Sequence, residues 1–258
     1  MTITAATGGR YRFWHVARME WTKLCSLRST WWILALTVAG AVGIAVAVGV
    51  NTRDAAADLT NNALAGISLG LLLIGVLGVL VMTGEHSSGL IRATLAAIPD
   101  RPLVLAAKAA VFGAVALAVG EAAGFIAFFA GVASLPAGIP APTLGQPGVA
   151  RAVVLSGAGY CLVGLIGLGL GAIIRHTAAA IAVLVGGVYV LGQFVALLTG
   201  SLMAYLPIAI VANSLTMARP MAEDEGVFLS PWAGLGVLCL YAAVALVIGA
   251  RLLASRDV

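Results

Sequence analysis

Charge is scarce in this chain. Only 9% of its 258 residues are Asp, Glu, Lys or Arg, against roughly 25% in an ordinary soluble domain. A water-facing surface cannot be built from so few, which excludes a soluble globular fold. Histidine and cysteine are equally scarce, with three of each. His15, His86 and His176 lie far apart in sequence and match no HExxH or paired-cysteine spacing, so no zinc site is expected. Cys25, Cys161 and Cys239 are isolated, which argues against a disulfide framework. Lysine occurs only at Lys23 and Lys108, after Thr22 and Ala107. A phosphate-binding loop needs Gly-Lys-Ser/Thr, whose lysine reaches the β- and γ-phosphates, and these residues contain no such loop. Within the apolar runs Glu121 is the only candidate base, and it has no nucleophile at catalytic spacing. The expectation is a chain that is not an enzyme and holds no cofactor of its own.

What is present is apolar: 62% of the residues are hydrophobic and the mean hydropathy is +1.09. A helix crosses a hydrocarbon core with about 20 residues. Six runs meet that length, at 32–50, 63–83, 104–133, 152–174, 178–199 and 232–250. They are continuously apolar rather than alternating, so they predict helices and not barrel strands. The expected fold is an all-α integral membrane protein, a single transmembrane domain over 1–258 with six spans.

With the N-terminus inside, the inner segments hold eleven of the fourteen basic residues, and the outer ones only Arg53, Arg151 and Arg219. That asymmetry predicts cytoplasmic termini. About thirty residues, five of them basic, precede the first run, unlike a cleaved signal peptide. The net charge of +4 is spread along the inner face, where anionic headgroups attract it; nucleic acid is rejected as a partner and membrane lipid expected. Twelve arginines against two lysines, with abundant Ala and Gly, have the bias of a GC-rich bacterial genome.

The leader 11–31 reads as a helix on the membrane surface. Trp14, Ala17, Trp21, Leu24 and Cys25 share one face with Phe13 at its margin, and Arg12, His15, Lys23 and Ser26 take the other. Trp31 and Trp32 mark the headgroup boundary at the first span. The alternative is a plain basic flank that sets topology. The inner segment 84–102 reads as a short helix, capped by Ser87 or Ser88 and ending before Pro99, that is either a docking element or a connector. The outer segment 200–231 is too apolar for a free loop and has Pro207 within its first half. It reads as two short helices dipping into the outer leaflet.

EWTKLCSLRSTWW at 20–32 and GEHSSGLIRATLAAIPDRPLVLAAK at 84–108 resemble the permease subunits of bacterial type-2 ATP-binding-cassette exporters. The resemblance implies an elbow helix at 11–31, a coupling helix at 85–97 and an outer re-entrant pair at 200–231. It also implies a homodimer, or a dimer with a paralogous permease, in the bacterial plasma membrane. ATP and magnesium would then sit on a separate cytoplasmic ATPase subunit. The ATPase-coupling residues it implies are Glu85, His86, Ser88, Gly89, Leu90, Arg92 and Leu95. Arg92 offers a charged fork, and Leu90, Ile91 and Leu95 offer apolar contacts. Trp14, Trp21, Trp31 and Trp32 are the interface anchors.

Glu121 is either a polar contact in the translocation path or dimer seam, or a hydrated carboxylate near the outer interface. Glycine pairs 66/70, 120/124 and 167/171 are expected at close helix crossings. An ion-coupled carrier and a non-transporting scaffold are the competing readings of the chain. The transported substrate is not legible in these residues.

Overall fold

The computed structural model describes residues 12–54, 58–190, 204–216 and 229–256. Among these residues every regular element is helical. The order is α1 (Phe13–Ser26), α2 (Arg28–Asn51), α3 (Leu59–Ala63), α4 (Ile67–Ser87), α5 (Leu90–Ala97), α6 (Arg101–Ala133), α7 (Val149–Ile174) and α8 (Thr177–Val185). α8 runs on as a π-helical turn, Gly186–Val190. After the short α9 (Pro207–Ala209) and a second π-helical stretch, Ile210–Leu215, the last helix is α10 (Pro231–Ser255).

Five of these helices, α2, α4, α6, α7 and α10, are long and apolar enough to cross a membrane, which makes the chain a multi-pass membrane protein. The sequence-predicted crossing at 178–199 is described only as far as Val190; its remainder lies outside the described residues. So do 200–203 and 217–228 of the outer segment and Tyr11 of the leader. α6 spans 33 residues, about 50 Å at 1.5 Å per residue, so it outruns the hydrocarbon core. Its start is fixed by Asp100, which accepts from the Leu103 amide at 3.1 Å, with Pro102 in the first turn.

α7 is the most enclosed of the five and packs against α4, α6 and α10. Glycines permit this. A Cβ on Gly167 would stand 2.2 Å from the Gly75 carbonyl oxygen, and one on Gly78 would stand 2.2 Å from that of Gly164. The α4–α7 crossing is therefore backbone on backbone, as small residues allow where lipid gives no hydrophobic drive. The pairs 66/70 and 120/124 likewise face neighbouring helices.

α7 and α10 run parallel. Gly169 meets Ala245 and Gly249 meets Ala172. At their shared end Arg175 donates to the Leu252 carbonyl at 3.3 Å and Arg256 to that of Ile173 at 3.1 Å. α6 starts at the same end, where Arg101 donates to the carbonyls of Leu253 (2.8 Å) and Arg256 (2.7 Å). Guanidinium groups thus satisfy the last carbonyls of two helices and complement their dipoles. At the opposite end Ser134 lies against α2 near Val46, and Thr216 donates to the Asn61 side chain of α3 at 2.7 Å. Between these ends, the Tyr241 hydroxyl of α10 donates to the Tyr205 carbonyl at 3.0 Å. Tyr241 is ten residues, roughly 15 Å, along α10 from its start, so Tyr205 lies well inside the bundle's length.

Candidate functional site: a closed ring of four charges at the base of α5

The arginine end of the bundle holds the charges that sequence reasoning did not bring together. Lys23 of α1 donates to Glu20 Oε1 at 2.9 Å, to Glu85 Oε1 at 2.9 Å and to the Thr94 hydroxyl of α5 at 3.1 Å. Lys108 of α6 donates to Glu85 Oε1 at 2.8 Å and is also paired with Glu20 Oε2. The four residues close a ring in which acid and base alternate, with a formal charge of zero. Glu20 and Lys108 are each only 3% exposed at the side chain. Charges taken out of water stabilise a fold only where each has opposite partners and hydrogen bonds, and the ring supplies both. Burial works against the Lys23 ammonium, yet its hydrogen bonds and attraction to Glu20 and Glu85 prevail and hold its pKa above the ordinary lysine value.

Four elements meet here. Glu20 and Lys23 are one turn apart on α1, Glu85 sits in the last turn of α4, Lys108 lies in the second turn of α6, and Thr94 ties in α5. Glu85 Oε2 and His86 Nε2 are buried without a partner among the described residues, while His86 Nδ1 contacts the Met82 carbonyl at 3.1 Å. Beside the ring a cavity of about 280 Å³ is walled by Leu24, Leu80, Val81, Val111 and Phe112.

The ring corrects the expected face of α1. Its buried side is Val16, Ala17, Glu20 and Leu24, packed on α6, and Lys23 reaches into the ring instead of joining Arg12 and His15 in water. Trp14, Trp21, Trp31 and Trp32 are exposed by half or more. Trp31 Nε1 donates to the Cys25 carbonyl at 3.0 Å across the one-residue break at Leu27.

The inner segment is also corrected in detail. Ser87 and Ser88 do not cap α5. Both hydroxyls donate back to the Gly84 carbonyl, at 3.1 and 2.8 Å, and so finish α4. The turn into α5 is made by Gly89, whose φ of 73° is left-handed and suits glycine. Leu95 and Ile91 are buried within the chain itself. The free side of α5 carries Leu90, Arg92, Ala93, Ala96 and Ala97.

Glu121 stands apart from the ring, partly buried on α6 and over Gly157 of α7; a Cβ there would fall 2.5 Å from its Oε1. Among the described residues no hydrogen-bond or ion-pair partner faces it. The Lys residues were the usable sequence signal for the ring: an arginine-rich chain keeps its only two lysines here, where each ammonium, a compact charge with three donors, reaches two carboxylates. Comparison of the chain with protein-family models and with curated proteins gives no match.

Proposed function

We propose that this chain is the permease subunit of a type-2 ATP-binding-cassette exporter, a dimer driven by ATP hydrolysis on separate ATPase subunits. The observation that carries the reading is the connection between α5 and the ring. A permease without a nucleotide site must receive movement through an inner projection. α5 is such a projection, with an exposed face bearing Arg92 and Leu90 and a buried face held by Ile91, Leu95 and the Thr94–Lys23 bond. Displacement of α5 is passed through Lys23 and Glu85 to α1, to the end of α4 and, through Lys108, to α6.

Six crossings fit the parallel course of α7 and α10, because the chain between Arg175 and Ser230 has to return from one end of the bundle to the other. α8 and its π-helical extension begin that return; the Thr177 hydroxyl donates to Thr83 of α4 at 3.0 Å. A re-entrant outer segment is supported by its depth, from Tyr205 beside Tyr241 to Thr216 beside Asn61. α1 fills the place of an elbow helix. The asymmetry of the basic residues supports a cytoplasmic side for the ring, α5 and both termini, and the reading sets the chain in a bacterial plasma membrane. Glu121 is assigned to the translocation path or the dimer seam, as a carboxylate that meets no counter-charge among the described residues.

The test is reconstitution with a candidate ATP-binding-cassette ATPase subunit from the same source. Vanadate-sensitive hydrolysis that depends on this chain, and is reduced by Arg92→Glu with insertion unchanged, is the expected result. ATP-independent flux driven by a proton or sodium gradient would favour a carrier instead.

A further inference from the structure

On the side of α1 away from the ring, Trp14, Arg18 and Trp21 follow one another at helical spacing and border a groove of about 550 Å³ against α6. Its floor is Ala110 and Ala114, one turn apart, and Phe13 forms one wall. The floor residues lie two and six positions past Lys108, roughly 3–9 Å further along the span. Small side chains below and aromatic rings beside them leave a slot with almost no polar surface except the Arg18 guanidinium. Arg18 is exposed; its carbonyl accepts from the Thr22 hydroxyl at 3.0 Å, while its guanidinium has no ion-pair or hydrogen-bond partner among the described residues. The one acid of α1, Glu20, is turned away into the ring. The groove therefore presents an unopposed positive charge at the head of an apolar channel, between two aromatic residues of the type that settle at the headgroup level.

We infer that this groove is a binding site for one anionic phospholipid, with its phosphate on Arg18 and an acyl chain along Ala110 and Ala114. A zwitterionic lipid fills the same channel but brings its own cation to Arg18, so the site selects by net headgroup charge. The inference rests on the membrane-spanning architecture and stands independently of the exporter reading.

The full chain is incorporated into vesicles of equal phosphatidylglycerol and phosphatidylcholine with matched acyl chains, released gently, and weighed by native mass spectrometry. The wild type is expected to retain phosphatidylglycerol in excess. Arg18→Gln reduces that excess about fivefold, the effect of one basic residue at an anionic surface, and Arg18→Lys restores much of it. Ala114→Phe, which fills the floor, lowers retention of both lipids. Arg28→Gln, an exposed basic residue at the start of α2, leaves retention unchanged. Equal retention of the two lipids by the wild type overturns the site. So does an equal effect of Arg18→Gln and Arg28→Gln, which would mean diffuse attraction. A dimer that depends on Trp14 would overturn it too, by making the groove a contact between copies.

Discussion

Glu20 and Lys108 are 88 residues apart and form a buried ion pair, one from the leading helix and the other from the second turn of α6. This pair docks α1 onto the spans, and Lys23 and Glu85 close the ring around it. Removing one charge leaves its partner buried and uncompensated, which costs about 3–5 kcal/mol for such pairs. Lys108→Met is therefore expected to lower the unfolding temperature in detergent sharply. Combining it with Glu20→Gln should recover part of the loss in a double-mutant cycle. Strict additivity of the two substitutions would mean the pair is not coupled.

Lys23 gives a pH dependence of known sign. Its folded pKa lies above the ordinary lysine value of 10.5, so its contribution is complete below that pH. It is lost as the pH rises from there through the folded value. The stability difference between wild type and Lys23→Met should stay constant from neutral pH to about pH 10 and shrink above it. A difference that vanished near neutrality would contradict the ring.

The α4–α7 crossing predicts a contrast between two glycines. Gly167→Ala places a methyl group against the Gly75 carbonyl, and overpacking of this kind costs about 1–3 kcal/mol. Gly43→Ala on α2 meets nothing within 4 Å and should be neutral or slightly stabilising, since alanine is the better helix former. Thermal unfolding of the two variants side by side decides it.

Apolar runs made five of the six expected spans legible, because length and continuity alone define a helix that lipid can accept. Their ends were less so: α2 begins at Arg28 instead of 32, and Trp31 and Trp32 fall inside its first two turns. The ring was hidden because Glu20, Glu85 and Lys108 meet only through tertiary packing, and local pattern assigned Lys23 to water. Ile91, Leu95 and Ile98 show their shared face in the sequence, but periodicity does not say whether that face meets the chain's own core or a partner. Ser87 and Ser88 misled for a related reason. A serine between two helices can cap the next or bond back to the last, and Gly89, free to turn left-handed, made the second outcome possible.

Glu121 is expected to matter for transport and not for folding. Glu121→Gln should insert normally and alter transport or its substrate preference. Glu121→Leu should impair transport more, having lost polarity as well as charge. Unchanged transport by both variants in vesicles would place the carboxylate outside the path.

Gly89 is a poor probe of coupling because its left-handed φ strains any substitution there, so the faces of α5 provide the direct measurement. A photo-crosslinking residue is placed at Arg92, on the exposed face, or at Leu95, on the buried one, and the chain is assembled in native membranes with the ATPase subunit that the proposed function requires. Covalent adducts to the ATPase from position 92 and none from position 95 are the predicted result. Adducts from neither position, with substrate flux continuing in the absence of ATP, would contradict the account.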